Sequence, residues 1–111
     1  MIFDSLKKMF AGDTEAIETA IKNGATIIDV RSPGEFSGGS VKGAVNIPHN
    51  ELEKNKGKIE KLKQPFVLCC ASGMRSAAAS RQLKNMGYAD VIDGKTWVAV
   101  NARSEEHTSE L

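Results

Sequence analysis

Phe66-Val67-Leu68-Cys69-Cys70-Ala71-Ser72-Gly73-Met74-Arg75-Ser76 is the stretch on which the reading of this chain turns. Its first four residues are apolar and follow Pro65, which predicts a short buried strand. Ser76 to Met86 is rich in helix formers and stops at Gly87, a residue suited to the C′ position. Between strand and helix lie a cysteine, the small or flexible residues Ala71, Ser72, Gly73 and Met74, and Arg75. A cysteine at such a turn sits where loop N–H groups and a helix N-terminus converge. Those donors stabilise an anion, so they lower a thiol pKa and can hold an oxyanion of sulfur or phosphorus.

Working outward, Ala25–Val30 is β-branched and nearly unbroken in apolar character, which suits a central parallel strand. Ser32-Pro33-Gly34-Glu35-Phe36 opens a short helix. Val41–Ile47 reads as a further short strand ended by Pro48, and Asn50 caps a helix to about Leu62, weakened at Gly57. Tyr88–Ile92 predicts another strand, Asp93-Gly94-Lys95 a turn, and Trp97 the start of a last short helix or extended segment. Upstream, Met1–Phe10 shows an apolar helical face, read as a lid on the core, within an N-terminal amphipathic segment over residues 1–12. Asp13 is a good N-cap for a helix over Thr14–Asn23, with Ile17, Ala20 and Ile21 inward.

Strands alternating with helices predict an α/β domain with a central parallel sheet of about 4–5 strands flanked by helices. In such sheets ligands bind beyond the carboxyl ends of the strands, where both Asp29-Val30-Arg31 and Cys70–Arg75 fall.

The 111 residues suffice for one core without disulfides or metals. A net charge of +1, with no basic cluster interleaved with aromatics, excludes a nucleic-acid footprint. The lysines of Asn50–Lys63 alternate with glutamates as on a solvated helix face. No apolar run reaches a membrane span, and no leader-like segment opens the chain. The two cysteines are adjacent, and a vicinal disulfide would strain the peptide between them. Reduced thiols and a cytoplasmic setting are the expectation.

Several motifs resemble the rhodanese-like sulfurtransferase family. Ile28-Asp29-Val30-Arg31-Ser32-Pro33-Gly34-Glu35-Phe36 is similar to its first signature block. Gly39–Pro48 is similar to its Gly-His-Ile-x-Gly-Ala-x-Asn-Ile-Pro block, Cys70–Ser76 to its active-site loop, and Gly87–Gly94 to its closing strand and turn. The resemblance runs from about Ala16 to Val98 within a domain over residues 1–102. It implies a single-domain thiosulfate sulfurtransferase of the rhodanese fold, with Cys70 as nucleophile. A sulfane sulfur would pass from thiosulfate or a persulfide donor to a thiol or cyanide acceptor, or along a relay of sulfur-carrying proteins. The only prosthetic chemistry implied is a covalent persulfide on Cys70.

Ala71, Ser72, Gly73, Met74, Arg75 and Ser76 would form the anion-binding loop, with Arg75 offering a planar fork to the sulfite part of the donor. Asp29 and Arg31 would brace the loop or form a structural ion pair. Ser40 stands where the family usually has His, Lys95 where a second Gly is common, and Ala71 where many members are basic.

Cys69 opens an alternative. Counted from it, Cys69-x5-Arg75-Ser76 fits the pattern of phosphatases and arsenate reductases; counted from Cys70, four residues intervene, the shorter loop that fits a sulfane sulfur. The upstream blocks favour Cys70 and make Cys69 the last core-facing residue of its strand. A non-catalytic or redox-sensing module of the same family is the other alternative. His49 reads as an exposed loop residue, and no spacing among Cys69, Cys70, His49 and His107 suits a metal.

Arg103–Leu111 is similar to the in-frame translation of a sequencing adapter and is read as a non-native, disordered tail. Without its one Arg and three Glu the net charge would rise from +1 to +3, and His107 would leave any mechanism.

Overall fold

The computed structural model describes residues 14–109. The expected Met1–Phe10 helix and the Asp13 cap lie outside the described residues. Helix α1 covers residues 14–22, followed by β1 (Thr26–Asp29), α2 (Pro33–Ser37), β2 (Val45–Asn46) and a 3-10 turn (His49–Glu51). Then come α3 (Lys56–Glu60), β3 (Phe66–Cys70), α4 (Met74–Asn85), β4 (Val91–Thr96) and α5 (Trp97–Ser109). The strands form one parallel sheet in the order β2-β1-β3-β4, so the α/β class and the parallel sheet hold, with four strands.

Period-two alternation divides the core. Phe66, Leu68 and Cys70 of β3 join Ile28, Val30, Ile47, Leu52, Ile59, Ala79 and Leu83 on one face. Val67 and Cys69 turn to the other face, with Ile17, Ala20, Ile27, Val41 and Val100. Each fully buried large aliphatic side chain contributes about 1.5–3 kcal/mol. The alternation sends the two adjacent sulfurs to opposite sides of the sheet.

Five expectations need correction. The strand over Val41–Ile47 shrinks to Val45–Asn46, because a turn with Gly43 at φ 83° delays pairing with β1 until Ile28 meets Val45. The helix from Asn50 to Leu62 splits into the 3-10 turn and α3, since Leu52 and Ile59 are both driven into the core across an irregular, turn-rich segment. The last strand begins three residues later than Tyr88 and includes Asp93-Gly94-Lys95, so these residues extend the sheet instead of turning.

The tail expected to be disordered from Arg103 is helical through Ser109. Buried Val100 anchors α5, no Gly or Pro interrupts the residues after it, and propagating a formed helix costs little. Arg103 pairs with Glu18 of α1. Strand β3 itself runs one residue further than expected and ends on Cys70, not Cys69.

Gly94 lets β4 lie against β3. A Cβ there would stand 2.7 Å from the Leu68 carbonyl oxygen and from Val100 Cγ2, and 2.9 Å from Val67 Cγ1. Gly94→Ala therefore destabilises the fold by about 2–3 kcal/mol through overpacking. Urea unfolding measures the loss, and a shift below about 0.5 kcal/mol would contradict this packing.

Candidate functional site

Helix α4 begins without a side-chain cap. Its N-cap is Gly73, at φ 100°, a left-handed conformation that suits glycine. The missing cap comes from Cys70 at the end of β3, whose Sγ accepts from the Gly73 N–H at 2.9 Å and the Ser76 N–H at 3.3 Å. Ser76 is the third helical residue, so the sulfur occupies the place of a capping oxygen. The Ser76 hydroxyl lies 3.5 Å from the same sulfur.

Burial alone would raise the Cys70 thiol pKa. The Ser76 hydroxyl, the Ser76 and Gly73 N–H groups and the Ser72 N–H more than offset it, and the net shift is downward. Cys69 is buried with no such donors, and burial pushes its thiol up to about 12, with the Asp29 charge adding to the rise. Both cysteines are free.

The expected loop is assembled as one unit, and its members differ in part. Gly73 and Ser76 bond the sulfur directly, and Ser72 acts through its N–H. Ala71 is exposed at the loop tip, and Met74 is 79% exposed at the start of α4. Arg75 points away from any bond to the sulfur and forms a bidentate pair with Glu35, NH1 to Oε1 at 2.7 Å and NH2 to Oε2 at 3.0 Å. The Arg75 guanidinium, helped by the Ser32 N–H, holds the Glu35 carboxyl at about 2.

Asp29 and Arg31 form a buried ion pair at 2.7 Å. Arg31 also donates to the Gly39 carbonyl at 2.7 Å and to the Glu35 carbonyl at 3.4 Å, and lies 4.8 Å from the centroid of the Trp97 ring. The pair thus ties β1 to α2 and α5 and makes no described bond to the Cys70 loop. Among the described contacts, the pair is linked to the loop through Glu35 of α2, which Arg75 meets.

Two residues of the site escaped the sequence reading. Glu35 was legible only as part of a helix start, although Ser-x-x-Glu is a capping-box signature that fixes its carboxylate. Asp93 Oδ1 accepts from Ser76 Oγ at 2.7 Å and from the Lys95 N–H at 2.9 Å. Its placement depends on the irregular β3–β4 register between Leu68 and Cys70, for which the sequence carries no signal. Ser76 has a single hydroxyl proton, and Asp93, at the shorter distance, competes for it with the Cys70 sulfur. The arrangement can stabilise a thiolate and accept an atom onto it, and the Arg75 guanidinium is near enough for the Cys70 charge to help raise its pKa. A cleft of about 410 Å³ adjoins Arg75, between Ser32-Pro33 and Pro48–Glu51. No group of metal-binding side chains is present among the described residues.

A model of the rhodanese-like domain family matches residues 13–95. The uncharacterized protein YqhL of Bacillus subtilis is 38% identical over 71 residues, covering 64% of this chain and 56% of that protein. The putative sulfur carrier protein YrkF of the same organism is 34% identical over 67 residues, covering 60% of this chain and 36% of its own length. The human single-domain sulfurtransferase TSTD1 superposes with a TM-score of 0.59 at 25% identity, covering 73% of this chain and 82% of that one. The chain thus spans little more than half of YqhL and about a third of YrkF.

The two thiols are expected to separate in reactivity. At pH 8 iodoacetamide labels Cys70 and leaves Cys69 unlabelled until the protein unfolds, as peptide mass mapping reads directly. Asp93→Asn frees the Ser76 proton for the sulfur and removes a nearby negative charge. Both changes favour the thiolate, so the alkylation midpoint of Cys70 moves down by about 0.5–1 pH unit. An upward move would refute this competition for the Ser76 proton.

Proposed function

This chain belongs to the rhodanese-like domain family, and we propose that it is a sulfurtransferase in which Cys70 carries a sulfane sulfur as a persulfide. The observation that supports this most is the Cys70 sulfur at the focus of the Gly73 and Ser76 N–H donors, with a depressed thiol pKa.

The Cys70 thiolate attacks the outer sulfur of a donor. With thiosulfate, a new S–S bond forms on Cys70, the donor S–S bond breaks, and its electron pair leaves on sulfite. With a hydropersulfide, the pair leaves on a thiolate. A thiol or cyanide then attacks the terminal sulfur of the Cys70 persulfide, and the pair returns to Cys70 as thiolate. No group beyond this covalent persulfide is needed.

The loop donors that hold the thiolate also suit the terminal persulfide anion. The sulfur-carrier name of YrkF favours a protein relay as one source or destination of the sulfur. Two free thiols suit a reducing, cytoplasmic compartment. No helix among the described residues is long and apolar enough to cross a membrane.

Intact-mass measurement after incubation with thiosulfate or a hydropersulfide tests the reading. The expected result is a gain of one sulfur that is lost in Cys70→Ser and kept in Cys69→Ser. No gain with either donor, together with reversible oxidation of Cys70, would move the chain to the redox-sensing alternative. Hydrolysis of an aryl phosphate that depends on Cys69 would move it to the phosphatase alternative.

A further inference from the structure

The guanidinium of Arg75, the cation of the sulfur loop, is already engaged by a carboxylate. Glu35 meets it through two oxygens, and the same Glu35 is fixed independently of Arg75. Its Oε1 accepts from the Ser32 N–H at 3.1 Å and the Ser32 hydroxyl at 3.0 Å, closing the capping box of α2. Ser32 directly follows Arg31, whose ion pair with Asp29 is buried. The carboxylate is therefore anchored to the sheet, and a guanidinium on a flexible stem comes to it. Both partners are partly exposed, 30% for the Arg75 side chain and 38% for Glu35, so an incoming anion can reach them.

A donor whose leaving group is sulfite has to take Arg75 from Glu35 and place two negative charges beside a third. A hydropersulfide with an uncharged substituent leaves as a thiolate and needs no guanidinium at its far end. We infer that Glu35 is a specificity residue that disfavours small dianionic sulfur donors and leaves hydropersulfides as the preferred class. This rests on the reading of Cys70 as the sulfur-accepting nucleophile. The chemistry is the same for both donors: Cys70 S⁻ bonds the outer sulfur, the donor S–S bond breaks, and the electron pair departs on sulfite or on a thiolate. Only the charge of the departing group differs.

The test compares the full chain with Glu35→Gln. Glutamine still accepts from the Ser32 N–H, so the capping box and the fold are kept, but it brings no charge and only one oxygen to Arg75. Persulfidation of Cys70 is followed by mass against concentration of two donors, thiosulfate and the hydropersulfide of 2-mercaptoethanol. The half-saturating thiosulfate concentration is expected to fall about three- to tenfold, the scale of a partly exposed bidentate ion pair. The value for the hydropersulfide stays within about twofold.

A rise in the thiosulfate value would mean that Glu35 orients Arg75 productively, and it would overturn the proposal; so would no change. Sulfate, an unreactive dianion, supplies a readout that needs no sulfur transfer. Followed by the amide resonances of Gly73 and Ser76, sulfate binds the Glu35→Gln protein more tightly by a similar factor. If neither donor loads Cys70, the sulfurtransferase reading fails; tighter sulfate binding would still uphold the Glu35–Arg75 competition, and unchanged binding would overturn that too.

Discussion

The cap that Cys70 places on helix α4 is the contact on which the rest of the site depends. An α-helix leaves its first N–H groups without partners, and Gly73 has no side chain to supply one. The sulfur fills that role, and it can do so because all five residues of β3 are buried and fix its position. The same hydrogen bonds link stability to ionisation. A thiol whose pKa is lowered on folding stabilises the folded state most when ionised, at pH above its unfolded value. That contribution is lost as pH falls through the folded value. Structure and reactivity here are one free energy seen from two sides.

The alternation of β3 gives two adjacent sulfurs different surroundings. A strand sends successive side chains to opposite faces, so the peptide between Cys69 and Cys70 separates a cysteine in the α1–α5 core from one under α4. Only the second meets a helix N-terminus. Donors govern the second thiol, and burial governs the first. Loop length, counted against both cysteines, and the upstream blocks favour Cys70 in the sequence. The structure adds that β3 ends on Cys70, one residue past the last apolar position that the pattern suggests.

Much of this was legible because it is local or periodic. The βα alternation, the strand before Cys70, the Gly73 bend and the Ser32 helix start each follow from residues within a few positions of one another. What was not legible is long-range or depends on packing. Glu35 and Arg75 lie 40 residues apart and meet only because α2 and the start of α4 share one end of the sheet. Asp93 reaches Ser76 because β4 continues through Gly94, where any side chain would strike the Leu68 carbonyl. Asp-Gly-Lys carries the chemistry of a turn, and neighbouring strands override it. The tail differs from expectation for the same reason: its likeness to an adapter translation argued for disorder, and the helix already formed over Val100 carries the segment along.

The two arginines show how one side chain serves opposite ends. Arg31 is buried and spends its guanidinium on Asp29, the Gly39 carbonyl and the Glu35 carbonyl, with Trp97 against its face. A charge so placed is tolerable only while each of those bonds is kept, and breaking such a pair costs about 3–5 kcal/mol. Four of its five N–H groups are engaged in this way, which fixes α2 in register with the sheet. Arg75 is partly exposed, and its described hydrogen bonds all go to one carboxylate at the surface, where exchange of one anion for another costs little. The rigid pair therefore sets where Glu35 stands, and Glu35 sets what Arg75 will accept.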